Sequence, residues 1–301
     1  MINYYNFSET GTSHLAKNPP VVCQDANKVI RLENGWVIAA IADGLGSAKY
    51  SDIGAQTAVD TSTQFLEENC KLIKQWNEKF LEATLLLSYY VTQKTIEKRA
   101  NSDGNPLNDY DTTLSIIIYD GKRVAYGHSG DGGILTLNEF GTFKQLTTVQ
   151  KGEGAHNDVY PLRSGINHWA FGFSDEDPVC SVLLATDGMY DKFCPTILTI
   201  SPKLNPIYIN AVRWLMDRNI SPINGFKTDD DFSNYKEDLI KRINSLFPEV
   251  TDDKTVVVCI NTEIFPKEKD AEYYADPDFK GLYNEQHQRL YGKKVPDKQN
   301  G

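Results

Sequence analysis

The stretch KVIRLENGWVIAAIADGLGS, residues 28–47, decides the fold. Lys28 to Glu33 and Gly35 to Ala42 carry Val, Ile and Trp and are separated by Asn34-Gly35, a two-residue hairpin signal, so they predict paired antiparallel strands. The second strand then runs straight into Asp43-Gly44, an acid at the end of an apolar run. Outward from there, Ile53, Ala55, Ala58, Val59, Ser62, Phe65 and Leu66 recur at helical spacing and predict a helix over 52–66. A second helix is expected over about 76–99, then a turn-rich loop over 101–108. Thr112 to Tyr119, Lys122 to His128, Ile134 to Leu137 and Thr142 to Thr147 follow as successive strands of a meander.

From about 149 to 178 the chain mixes Gly, Asp, His and Pro without a period, which reads as a long excursion over the surface, of a length that is usually functional or mobile. Val179 to Thr186 returns as a buried strand. The span 195–250 reads as a helical insertion, clearest over 208–216 and 235–247, with Asp229 to Asp231 as a solvated break. Thr255 to Ile260 is the last core strand, and beyond Phe265 the chain is charged and Tyr-rich (Tyr273, Tyr274, Tyr283, Tyr291) with no periodic apolar face. The expected division is therefore one domain over 1–263 and a tail over 264–301, which packs locally, docks a partner or stays disordered. Hairpins and helices in two separate blocks predict an antiparallel α+β fold. A doubly wound parallel sheet would alternate strand and helix and carry a Gly-rich phosphate loop, and neither is present.

Composition narrows the function. With 31 Lys+Arg against 41 Asp+Glu the formal net charge is -10, and no basic cluster interleaves with aromatics, which disfavours nucleic acid as a partner. The apolar runs fall short of the roughly 18 to 20 residues of a membrane helix, and no secretory signal is legible at the start. Five scattered cysteines form no C-x-x-C pair, which fits a reducing compartment; a cytoplasmic monomer is expected.

Acids stand at three strand ends: Asp43 after the run to Ala42, Asp187 after the run to Ala185, and Asp252 just before Thr255. A carboxylate at the rim of a core is costly unless paired or bound to a cation, and converging acids without Lys or Arg call for the cation. Oxygen-only ligation selects magnesium, manganese or calcium, and two ions roughly 3.5 to 4 Å apart would suit activation of a bridging water. Against this stands the ordinary use of Asp-Gly as a turn. Of five such dipeptides, Asp120-Gly121 lies between two strands and Asp103-Gly104 in a polar loop, and both read as turns. Asp43-Gly44 and Asp187-Gly188 each leave a buried strand for helix-like sequence, where a hairpin turn has no second strand to serve. Asp131-Gly132, flanked by strands, is balanced between turn and ligand.

Taken together the motifs resemble the metal-dependent serine/threonine protein phosphatases of type 2C, in a bacterial-like form, from about His14 to Asn261. In order they are Gln24-Asp25-Ala26, Ala42-Asp43-Gly44-Leu45-Gly46-Ser47, Asp111-Thr112-Thr113-Leu114, Gly130-Asp131-Gly132, Thr186-Asp187-Gly188-Met189-Tyr190-Asp191 and Asp252-Asp253-Lys254-Thr255. The resemblance implies a four-layer αββα sandwich, two antiparallel sheets flanked by helices. It implies two Mn²⁺ or Mg²⁺ ions bridged by Asp43, with the Gly44 carbonyl, Asp187 and Asp252 as further ligands. Asp25 would hold metal-bound water, and Asp131 and Asp191 would bind a third ion. The implied reaction is hydrolysis of phosphoserine and phosphothreonine in proteins by a metal-activated bridging water, opposite a cognate Ser/Thr kinase.

There are departures. Leu45 stands where many members have a His proposed as general acid, and Asp253 where the family usually has Asn. The phosphate-binding Arg upstream of Gln24-Asp25 is missing, leaving His14 or Lys17 as substitutes. His156, Arg163 and His168 lie in the excursion that corresponds to the family's flap; Arg163 is a further candidate for phosphate, with surface solvation as the plainer reading. His128 reads as a structural histidine. Two other functions stay open: a phosphatase-fold regulator that binds a partner without turnover, and a two-metal phosphoesterase acting on small molecules.

Overall fold

The computed structural model describes residues 1–71, 73, 75–150, 159–195, 206–221 and 229–292. Strands β2 (Asp25–Arg31) and β3 (Val37–Asp43) pair antiparallel from Asp25↔Asp43 to Arg31↔Val37, with Gly35 at φ 85° in the turn. β4 (Leu114–Tyr119), β5 (Val124–Ser129) and β8 (Ala170–Phe173) complete one antiparallel sheet in the order β2-β3-β4-β5-β8. The other five-stranded antiparallel sheet has the order β1-β10-β9-β6-β7, from β1 (Ile2–Glu9), β6 (Gly133–Asn138), β7 (Phe143–Gln145), β9 (Val179–Ala185) and β10 (Lys254–Asn261).

Period-2 alternation assigns the faces. In β3, Val37, Ala39 and Ile41 enter the core between the sheets, with Ile117, Leu184 and Val257, while Ile38, Ala40 and Ala42 face α2 (Ser51–Cys70) and α3 (Glu78–Asp103). Both faces of β3 are thus covered, which is why it reads as an unbroken apolar run. The other sheet turns Leu183, Ala185, Val256 and Val258 toward α4 (Asp187–Phe193), α5 (Ile209–Met216) and α6 (Asp229–Leu246). Two sheets face to face with helices outside make the expected four layers.

The structure corrects the sequence reading at five places. The meander does not stay in one sheet, because β5 and β6 belong to different sheets and the chain crosses between them at Gly130-Asp131-Gly132. β1, unread at the sequence level because Asn3, Asn6 and Ser8 interrupt its apolar pattern, pairs with β10 along its whole length. The excursion holds a strand, β8, paired with β5, and two 3₁₀ turns. The expected loop over 101–108 begins inside α3, which ends at the left-handed Gly104 (φ 70°), and Asp229 to Asp231 open α6 rather than break the chain.

After Phe265 the chain folds back on the helical side of the β1-β10-β9-β6-β7 sheet. The Tyr273 hydroxyl accepts from the Phe143 N–H at 2.9 Å, and Tyr274 is buried beneath the Arg213 guanidinium, 3.7 Å from its ring centroid. With a short helix α1 (Thr12–Leu15) near the start, the described helices end at α7 (Phe279–Tyr291), which places Phe279 edge-on to Tyr208. No described helix is long and apolar enough to cross a membrane, and all five cysteines are free.

Candidate active site

The elements that end at one rim of the sandwich deliver acids to one place. Asp43 closes β3, Asp131 sits in the crossing between sheets, and Asp187 opens α4 directly after β9. One carboxylate oxygen from each of the three lies within 4.8 Å of the others. They line a cavity of about 430 Å³ with His14, Gln24, Gly44, Leu45, Gly46, Ser47, Thr113, Val159, Asp252 and Asp253. No Lys or Arg is among these described lining residues.

Backbone contacts fix Asp43. The Thr112 hydroxyl donates to its carbonyl at 2.9 Å, the Thr113 N–H donates to the same oxygen at 2.8 Å, and the Asp43 N–H donates to the Thr113 hydroxyl at 2.9 Å. Gly44 follows, where a Cβ would stand 2.6 Å from the Ser51 carbonyl and 2.7 Å from that of Gln24. Glycine is needed there for close backbone packing, a demand separate from the approach of its carbonyl to an ion. Gly132 is similarly required, since a Cβ would lie 2.6 Å from the Ala185 carbonyl, and Gly188 brings α4 against Asp253, 2.2 Å from a would-be Cβ.

Burial sets the electrostatics. It pushes the Asp43 carboxyl well above the ordinary carboxylate range, and the neighbouring charges of Asp187, Asp25 and Asp131 push it further. Asp25, cross-strand from Asp43, is likewise raised, first by burial; the Thr186 hydroxyl, donating to it at 2.7 Å, opposes the shift, and Asp253 and Asp187 add to it. Leaving one such charge buried without a counter-charge costs several kcal/mol. An oxygen-rich cluster that resists ionisation and has no cationic side chain in its wall fits a hard divalent cation.

The sequence candidates do not all meet. Asp43, Asp131, Asp187, Asp252, Gly44 and His14 line the cavity; Asp25 stands behind Asp43, and Asp191 lies one helical turn beyond Asp187, outside the lining. Lys17 is exposed and outside the lining. Arg163 is elsewhere too: its Nε and Nη2 donate to the two Asp111 carboxylate oxygens, each at 2.7 Å. His168 stacks on Tyr160 with ring centroids 3.9 Å apart, and His156 lies outside the described residues. His128 is fully buried between the sheets, its Nδ1 2.8 Å from the Ser115 hydroxyl, and burial lowers its pKa to about 4.

Asp253, which the sequence left without a role, is a tie. One of its oxygens accepts from the Gly11 N–H at 2.6 Å and stands 3.0 Å from His14 Nδ1; the other accepts from the Gln24 N–H at 2.6 Å. Gln24 continues the chain of contacts, its side-chain amide donating to the Ser51 hydroxyl at 2.5 Å and its carbonyl accepting from the Gly44 N–H. The supporting threonines at 112, 113 and 186 were not singled out from the sequence, although each lies inside a quoted motif.

Comparison with known proteins follows the same lines. No curated protein sequence matches this chain significantly. Among solved structures, a bacterial serine phosphatase superposes with a TM-score of 0.59 at 13% identity, covering 89% of this chain and 100% of its own. The serine/threonine phosphatase PstP/Ppp of Mycobacterium tuberculosis gives 0.57 at 17% identity, with coverage of 88% and 99%. The catalytic domain of the phosphatase PstP in complex with two manganese ions gives 0.55 at 17% identity, with coverage of 86% and 97%. At these identities the likeness is one of fold. The family model for protein phosphatase 2C matches residues 10–222, and the chain belongs to that family.

Proposed function

We propose that this chain, by family a protein serine/threonine phosphatase, hydrolyses phosphoserine and phosphothreonine monoesters of proteins at the acid-lined cavity in a reaction that depends on Mn²⁺ or Mg²⁺. The observation that carries the reading is the meeting of Asp43, Asp131 and Asp187 within 4.8 Å in a cavity whose described lining has no Lys or Arg. A phosphate dianion entering such a cavity meets carboxyl groups and no cationic side chain of the described lining, so its charge is left unopposed unless cations stand between. Two divalent ions bound there would supply Lewis-acid activation of a water and neutralise charge on the phosphoryl oxygens. Asp43, Asp187, Asp252 and the Gly44 carbonyl are the proposed holders, with Asp131 and Asp191 for a third ion and Asp25 orienting solvent beside Asp43.

The rest is positioning. Thr112 and Thr113 hold Asp43 by its backbone, so its carboxylate is presented without strain on its own side chain. Thr186 keeps Asp25 oriented by donating to it. Leu45 in the wall offers no proton, so the leaving serine or threonine oxygen takes its proton from water or another group; among the described residues His14 is the one imidazole in the lining.

The test is hydrolysis of a phosphothreonine peptide, para-nitrophenyl phosphate and a nucleoside monophosphate, each with and without Mn²⁺. Turnover that requires metal and favours the peptide is expected. Preference for the nucleotide would shift the assignment to a small-molecule phosphoesterase, and Mn²⁺ binding with no turnover of any substrate would make the chain a regulator.

A further inference from the structure

The Arg163–Asp111 pair lies outside the acid cavity yet bears on it from two sides. Its geometry is a two-point fork, Nε to Oδ1 and Nη2 to Oδ2, both 2.7 Å, with the Asp111 carboxylate buried and the Arg163 side chain partly open to solvent. Such forks fix direction as well as distance, which a lysine at the same place could not do. Asp111 begins the segment that grips the site: its carbonyl accepts from the Leu45 N–H at 3.0 Å, and Thr112 and Thr113 next to it hold the Asp43 backbone.

Arg163 belongs to the stretch that runs past the cavity mouth. Val159 lines the cavity, and Leu162 donates its N–H to the Thr112 carbonyl at 2.8 Å while its own carbonyl accepts from Trp169 Nε1 at 2.9 Å. Gln93 of α3 reaches the Arg163 carbonyl at 3.3 Å. On the far side, the Gln150 N–H donates to the Gly130 carbonyl at 2.9 Å, the Gly130 N–H donates back to Gln150 Oε1 at 3.2 Å, and Tyr160 is joined to Gln150 through its N–H. The 159–169 stretch is therefore bonded directly to the turn that presents Asp43 and, through Gln150, to the crossing that presents Asp131.

We propose that Arg163 is a positioning residue for the phosphatase reaction, clamping the 159–169 stretch and the Asp43-bearing turn together through its two-point pair with Asp111, and that it does not bind the substrate phosphate. With both guanidinium donors that face Asp111 engaged, the pair is a strut between the cavity's wall and its floor. Sub-ångström loosening of reacting groups costs on the order of tenfold or more in rate, so the strut acts on turnover and not on phosphate affinity. This rests on the phosphatase reading above.

The experiment compares Arg163→Met, Arg163→Lys, Asp111→Asn and the Arg163→Met/Asp111→Asn double variant with the wild type in the full chain. Amide hydrogen exchange over 111–113 and 159–169 is followed without added metal, beside kcat and KM for a phosphothreonine peptide and competitive inhibition by inorganic phosphate. Faster exchange in both stretches is expected in each single variant. About a tenfold fall in kcat should accompany it, with phosphate inhibition within about twofold of wild type, partial rescue by Lys, and a double variant no worse than either single one. Weaker phosphate inhibition in Arg163→Met alone, with exchange unchanged, would make Arg163 a phosphate ligand and overturn the clamp; so would variants that match the wild type throughout. A wild-type chain without turnover would overturn the phosphatase reading, while the exchange arms would still decide the clamp.

Discussion

Asp43 owes its place to two threonines about seventy residues away in sequence, and because its backbone does the anchoring its carboxylate stays with Asp131 and Asp187 at the cavity. Asp253 illustrates the opposite use of an acid: both oxygens are spent on Gly11, His14 and Gln24, so it ties the start of the chain and the start of β2 to the rim beside Asp252. The acids themselves are legible in the sequence, because a carboxylate at the end of an apolar strand is conspicuous. The threonines are not, since a hydroxyl looks the same whether it meets water or a backbone amide far along the chain. Arg163 shows the same limit: an exposed basic residue in an aperiodic stretch invites a phosphate, and only the fold reveals Asp111 as its partner. His128 has a testable consequence. Its folded-state pKa of about 4 lies below the unfolded value of about 6.5, so the unfolded chain binds the extra proton between those values and the fold loses stability as pH drops through that window. Urea unfolding should show a loss of up to roughly 3 kcal/mol from this group between about pH 6.5 and about pH 4, and His128→Gln should flatten that slope. An unchanged slope would mean that the histidine titrates in the fold as it does in water.

At the scale of elements the decisive feature is the crossing at 130–133, where the chain leaves one sheet for the other and sets Asp131 between them. Sequence alone leaves Asp131-Gly132 balanced between turn and ligand because strands flank it on both sides, as they would a hairpin. The two strands join different sheets, and a sheet assignment is a long-range fact. Gly130 sits at φ 121°, and a Cβ there would stand 2.4 Å from Thr113 Cγ2. Gly130→Ala should therefore cost about 2 kcal/mol or more of stability, read by urea unfolding, and lower turnover, because the residue it displaces is the one that holds Asp43. Wild-type stability and turnover in that variant would show that the crossing tolerates relaxation. β1 and β8 escaped sequence reading for one reason: edge strands interrupted by Asn, Ser or Gly have too little alternation to announce themselves. The hairpin of β2 and β3, with its Asn34-Gly35 turn and apolar run, announced itself fully.

For the whole molecule, the four layers serve to hold two sheets rigidly enough that strand ends from both converge on one rim. That convergence concentrates negative charge where burial already opposes it. In the absence of metal, Asp43 and Asp25 have folded-state pKa values well above their unfolded ones, so the fold takes up protons that the unfolded chain has released. The sign follows: these groups cost the metal-free fold nothing below the unfolded carboxylate range, and progressively more as pH rises through their raised values. A bound divalent cation reverses the balance by favouring the ionised forms, and its binding expels the same protons. Mn²⁺ should therefore stabilise the protein, and more so at higher pH. The most direct measurement of the central claim, that this cluster is a cation site on which the phosphatase depends, is thermal unfolding with and without Mn²⁺ from just above the ordinary carboxylate range, about pH 5, to about pH 8, for the wild type and Asp43→Asn. The account predicts a metal-dependent rise in Tm for the wild type that grows with pH, and a rise that is small and nearly independent of pH in Asp43→Asn. A wild-type Tm indifferent to Mn²⁺, or an equal gain in both proteins, would contradict it.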